Sequence, residues 1–318
     1  MFSNKSRGGG RGSPFLIAVA VTAAACVAGW LLYGATTDSH ADSGATGGDP
    51  AGPVTRAPSS PGTGEATASP SAPETGSATA GPSPAATAPA ESLPLTGRTV
   101  VLDPGHNPGN ASHTTAINRL VDIGTGFKEC DTTGTATDAG YAEASYTLDV
   151  SRRIRTILLS RGARVTLTQN GDRSYGPCVD ERARIGNRAH ADVALSVHAD
   201  GGPASGRGFH VIAPAALHTG SADTRTITAP SYRLATALRA RFKAATGEPY
   251  ADYTGGGTGL TVRDDLGGLN LSTVPKVFIE CGNMRNSDDA EALTDPAWRQ
   301  DAARGIADAL TAFLLGKR

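Results

Sequence analysis

From residue 97 to the C-terminus, short apolar runs alternate with longer segments of helical periodicity, and nothing else in the chain constrains its fold so tightly. The run "RTVVLD" (residues 98–103) is apolar almost without interruption, the pattern of a strand covered on both faces. In "YAEASYTLDVSRRIRTILLSRG" (141–162), Leu148, Val150, Ile154, Ile157 and Leu158 fall on one helical face, and Gly162 closes the helix. The alternation continues through a strand at 163–169, a helix at 178–191, strands at 192–200 and 207–214, and a helix at 231–247. It ends with the strand "VPKVFIECGN" (274–283) and a helix at 295–315, with Asp295 as its N-cap and Pro296 at its first position. Strands alternating with helices predict an α/β fold: a three-layer domain with a mostly parallel (mixed) central sheet flanked by helices.

Ahead of this domain the composition changes twice. Residues 15–35, "FLIAVAVTAAACVAGWLLYGA", carry no charge and are long enough to cross a hydrocarbon core ~30 Å thick as a helix. Lys5, Arg7 and Arg11 precede this stretch and the next basic residue is Arg56. That asymmetry places a cytoplasmic tail at 1–14, a transmembrane signal-anchor helix at 15–35 and the rest of the chain outside. A cleaved signal peptide is the competing reading, although its apolar region is normally only ~7–15 residues. Residues 36–96 are rich in Ala, Thr, Ser, Pro and Gly and contain no Phe, Trp or Tyr. Such a segment cannot bury enough apolar surface to offset ordering, so it is expected to be a disordered linker. The net charge of −1 gives no footprint for nucleic acid.

Four polar residues in the domain at 97–318 stand where chemistry is commonly placed. His106 follows the first strand in "VVLDPGHNPGN", Glu143 opens the first helix, His198 ends "VALSVH", and Glu280 ends "KVFIE". Three of the four lie at the carboxyl ends of strands, the edge at which open α/β sheets bind ligands. Two imidazoles and a carboxylate form a catalytic zinc set with one position left for water, and a further carboxylate suits a general base. Each has a plain structural alternative: a hydrogen-bonded histidine after a turn, or a glutamate favoured by a helix N-terminus. His113, His190, His210 and His218 also lie in the domain, and His40 lies in the linker. Residue types and spacing alone lead no further than a secreted metal hydrolase.

The blocks "VVLDPGH", "EASYTLDVSRRIRTILLSRGARVTLTQ", "DERARIGNRAHADVALSVHADG" and "VPKVFIECGNMRN" resemble, in order, the motifs of zinc-dependent N-acetylmuramoyl-L-alanine amidases of the amidase-3 type. The resemblance implies that His106, Glu143 and His198 bind Zn2+ and that Glu280 is the catalytic carboxylate. It implies peptidoglycan as the substrate, cut at the amide between N-acetylmuramic acid and L-alanine. With the N-terminal anchor, this places a single-pass protein in the cell membrane with its catalytic domain at the cell wall, or a secreted protein if the anchor is cleaved. One departure is the long segment between His106 and Glu143, read either as a lid or specificity loop or as a solvated ornament.

Two rival readings follow from the same residues. Cys281 beside Glu280, with His198 available, permits a cysteine hydrolase, but neighbours on one strand face opposite ways, which sends Cys281 to the core. A non-catalytic or autoinhibited wall-binding protein on the same scaffold is the other. With Cys26 in the apolar N-terminal span and Cys281 in a core strand, Cys130 and Cys178 are left to pair as a disulfide in an oxidising compartment.

Overall fold

The computed structural model describes residues 92–316; the expected tail, membrane span and nearly all of the linker lie outside the described residues. Among the described residues no helix is long and apolar enough to cross a membrane.

A six-stranded sheet organises the domain. We label its strands β1 (Thr99–Pro104), β2 (Arg164–Leu167), β3 (Val193–Asp200), β4 (His210–Pro214), β5 (Leu260–Arg263) and β6 (Lys276–Asn283). Their spatial order is β2-β1-β3-β6-β4-β5. The first four in that order are parallel, β4 pairs with β6 in the antiparallel sense, and β5 is parallel to β4. The sheet is therefore mostly parallel and mixed. The helices of eight residues or more are α1 (Glu143–Ser160), α2 (Val179–Arg188), α3 (Arg225–Thr246), α4 (Ser287–Thr294) and α5 (Pro296–Leu314).

The two faces of the sheet are built from different chemistry. Val100 and Leu102 of β1, Val193, Leu195 and Val197 of β3, and Val277, Ile279 and Cys281 of β6 join one apolar core with α1, α3 and α5. The alternate residues point the other way, as the period of two requires. On that side Val101 and Ala194 make only a small apolar patch with Ala191, Ile185 and Val274 beneath α2. The rest of that face presents Asp103, Ser196, His198, Lys276, Phe278 and Glu280. His198 and Glu280 are thus carried on the thinly covered face, while the helix-packed face supplies most of the apolar burial that drives folding.

Three features depart from the sequence reading. The domain starts before residue 97: Leu95 is fully buried in the main core, and its N–H donates to the Arg161 carbonyl at 2.8 Å. Helix α3 starts at Arg225 rather than at Ser231 and carries Pro230 in its second turn. Proline there gives up one helical hydrogen bond, and burial of Ile227 holds the extra turns in place. Strand β5 and helix α4 lack a strong periodic signature, being a four-residue edge strand and an eight-residue helix begun by an Asn286 cap. Asp295 caps α5 as its sequence implies, accepting from the Ala297 N–H at 2.9 Å.

Candidate metal centre

The chain reaches the centre through Asp103-Pro104-Gly105-His106. Gly105 must be glycine here, because a Cβ would fall on the His198 ring. His106 then adopts φ +60°, a left-handed conformation that a residue with a side chain occupies only when its surroundings hold it there. Arg182 of α2 supplies that hold, donating to the Pro104 carbonyl at 2.6 Å and to the His106 carbonyl at 2.9 Å. Arg182 is itself fixed by Asp103 at 2.9 Å, and Asp103 also accepts from Thr168 and Ser196, both at 2.7 Å, and from Lys276 at 3.0 Å. Burial alone would raise the Asp103 pKa, but Lys276 and Arg182 outweigh it and hold the carboxyl ionised well below its usual range.

Glu143, the first residue of α1, stands between the two histidines. Its Oε2 is 3.1 Å from His106 Nε2 and its Oε1 is 2.9 Å from His198 Nδ1. The carboxylate is held from behind by the Thr135 N–H at 3.0 Å and the Ala199 N–H at 3.2 Å. His198 lies flat against Phe278, ring centres 4.0 Å apart. One donor atom from each of the three residues falls within 4.8 Å of the others. The set suits a metal ion in both chemistry and spacing: a tetrahedral ion with bonds of ~2.0–2.1 Å keeps its ligand atoms ~3.3 Å apart. In the protein alone, burial works against a charged His106, but Glu143 and Asp131 outweigh it and raise its pKa to about 10. Burial likewise opposes ionisation of Glu143, and the two histidines overcome it, pulling its pKa down. For His198 burial prevails and its pKa falls.

Glu280 pairs in register with His198 on the neighbouring strand, so its side chain rises from the same face beside the cluster. Its Oε2 is buried and has no hydrogen-bond partner. Burial, then the nearby charges of Glu143 and Asp200, push its pKa well above that of an ordinary glutamate. The cluster and Glu280 open into one cleft of about 280 Å³. Lys128, Glu129, Asp131 and Thr132 form part of its wall, so the segment between His106 and Glu143 is no solvated ornament. Lys128 reaches across to Asp265 at 2.9 Å.

The remaining residues fall into place around the centre. Cys130 and Cys178 form a disulfide, which fastens that segment to the start of α2. Cys281 is fully buried in the main core, on the opposite face from Glu280, and burial pushes its thiol pKa up. Of the other histidines, His210 pairs with Glu280 across β4 and β6 and stands on its face, its Nδ1 buried without a partner. His113, His190 and His218 are not part of the metal cluster. The residues that sequence reasoning missed are Asp103, Arg182, Asp131 and Lys276. All four are charged and at most 5% exposed, and only Asp103, at the end of an apolar run, carried a local signal.

The family model described as N-acetylmuramoyl-L-alanine amidase, Amidase_3, matches residues 100–312, essentially the whole of this domain. The chain belongs to the amidase-3 family. The amidase is 39% identical over 225 residues to an N-acetylmuramoyl-L-alanine amidase of Mycobacterium tuberculosis, covering 69% of this chain and 88% of that one. It also resembles the crystal structure of an N-acetylmuramyl-L-alanine amidase from Mycobacterium smegmatis, at 40% identity and a TM-score of 0.63, covering 70% of this chain and 99% of that one. An amidase from Clostridium difficile, 18% identical with a TM-score of 0.53, shares the fold over 68% of this chain and 96% of its own.

Proposed function

We propose that this peptidoglycan amidase is zinc-dependent and hydrolyses the amide between the lactyl group of N-acetylmuramic acid and L-alanine of the stem peptide, in cell-wall remodelling or cell separation. The observation that carries the reading is the convergence of His106 Nε2, Glu143 and His198 Nδ1 beside the unpartnered carboxylate of Glu280. Those three residues would hold the ion. Zinc bound there would supply Lewis acidity, polarising the amide carbonyl and making water a nucleophile at neutral pH. Glu280 Oε2 takes the proton of the attacking water as its oxygen bonds to the lactyl carbonyl carbon. It then delivers that proton to the nitrogen of L-alanine as the C–N bond breaks. A carboxyl that burial and the nearby charges of Glu143 and Asp200 make more basic than an ordinary glutamate suits the first half of that transfer, and its return to the ionised form suits the second. The apolar stretch at 15–35, with its basic N-terminal flank, supports anchoring in the membrane with the cleft facing the wall.

The test separates binding from chemistry. His198→Ala should lose zinc and turnover together, whereas Glu280→Gln should keep one zinc and lose turnover, read by metal analysis and by mass spectrometry of muropeptide products. Zinc retained at full stoichiometry in His198→Ala, or near-normal rates in Glu280→Gln, would remove those residues from their roles.

A further inference from the structure

We propose that Asp131, carried by the segment between β1 and α1, is the positioning residue of His106: it holds the imidazole with Nδ1 protonated and Nε2 turned toward Glu143. The inference rests on the reading of His106 as a metal ligand and adds a residue outside the cluster to it.

His106 needs such a device. Its backbone is in the left-handed region, so local conformational preference does not aim the ring. For Nε2 to offer a lone pair on the Glu143 side, Nδ1 must carry the proton, and the groups around Nδ1 decide whether it does. Those groups come from one short stretch: two acceptors, the Thr132 carbonyl at 3.1 Å and Asp131 Oδ1 at 3.4 Å, and the Thr132 hydroxyl at 3.2 Å, whose oxygen also accepts from the Gly134 N–H. Asp131 governs the whole set, because the same Oδ1 accepts from the Thr132 N–H at 2.8 Å and so places the carbonyl that receives the Nδ1 proton.

Asp131 is held as firmly as the ring it faces. It is 5% exposed, and its Oδ2 accepts from Arg182 Nη2 at 2.8 Å. The same nitrogen donates to the His106 carbonyl, so a single guanidinium sets the main chain of the histidine and the carboxylate behind its ring. One residue earlier, Cys130 is tied to Cys178 by the disulfide, and its carbonyl accepts from the Val179 N–H at 2.7 Å. A few residues on, Gly134 passes so close that a Cβ would lie 2.8 Å from the His106 ring and from Glu143 Oε2. The segment is thus built against the ring, and its acidic residue stands where a carboxylate fixes the tautomer and raises the basicity of a metal-ligating histidine.

The experiment uses the full chain, stripped of metal, and measures zinc affinity against a competing chelator for the wild type, Asp131→Ala, Asp131→Asn and Thr168→Val. The last removes a hydroxyl from the same buried network without touching His106. Loss of a carboxylate behind a ligand typically weakens metal binding about 10–100-fold. That loss is expected in both Asp131 variants and not in Thr168→Val, with Asp131→Asn, the isosteric change, deciding if the alanine protein does not fold. In the metal-free proteins, nitrogen–proton NMR should show the His106 Nδ1 proton in slow exchange with water in the wild type and in fast exchange in the Asp131 variants. Unchanged affinity and unchanged Nδ1 proton exchange in the Asp131 variants overturn the proposal, as does equal weakening in Thr168→Val, which would mark general loosening. A wild type that binds no zinc would instead sink the metal reading, and the proton-exchange measurement would still judge Asp131.

Discussion

Gly105 and His198 approach each other so closely that the glycine's missing Cβ would lie within the imidazole ring. Gly105→Ala therefore forces either the end of β1 or the histidine to move. Overpacking of this kind costs about 1–3 kcal/mol. The expected result is a lower midpoint in thermal unfolding together with reduced zinc stoichiometry. A variant with wild-type midpoint and metal content would show that the contact yields freely.

Asp103 neutralises two buried cations, Lys276 and Arg182. Asp103→Ala leaves Lys276 without its carboxylate at 2% exposure, and breaking a buried pair from one side costs about 3–5 kcal/mol. Denaturant unfolding should show that loss. The paired change Asp103→Ala, Lys276→Met should recover part of it, because it removes the uncompensated charge.

Glu248 offers a pH test remote from the centre. Burial, then the carboxylate of Asp289, raises its pKa from 4.5 to about 8, against the opposing pull of Arg207. Between those two values the folded chain keeps a proton that the unfolded chain has released, so stability falls as pH rises through that window and levels off above it. Thermal midpoints recorded from pH 4.5 to 8 should decline, and Glu248→Gln should flatten that part of the slope. An identical slope in the variant would assign the decline to other groups.

Cys281 should be chemically silent. It is fully buried among the residues of the main core. The native amidase should resist iodoacetamide at this residue, and Cys281→Ala should retain turnover with a modest loss of stability. Loss of turnover with zinc and fold intact would revive a cysteine mechanism.

How much of this was legible in the sequence follows from which physical signal each residue carries. The strands β1, β3 and β6 announce themselves through the apolar residues they send into the main core, Val100 and Leu102, Val193, Leu195 and Val197, and Val277 and Ile279, and the period of two then sends Glu280 and Cys281 to opposite sides. His106, Glu143, His198 and Glu280 were legible because each ends or begins a periodic element. The start of α3 was not, since Pro230 marks a boundary in sequence and is tolerated here inside the helix. Arg182 looks like any polar residue of a charged helix. Only the tertiary fold shows that it is 5% exposed and bonded to Asp103, Asp131 and three main-chain carbonyls. Asp131 likewise gains its meaning from being brought to a histidine 25 residues earlier in the chain.

The division of the sheet into two unlike faces bears on the order in which this protein matures. The main core, assembled by α1, α3 and α5, lies on the face of the sheet opposite His198 and Glu280. In small zinc domains the ion substitutes for a core, and the apo chain is unfolded. Here the driving force for collapse lies on the side away from that cluster. The chain is therefore expected to reach its native topology without an ion, and a metal held by His106, Glu143 and His198 would be loaded onto the finished protein.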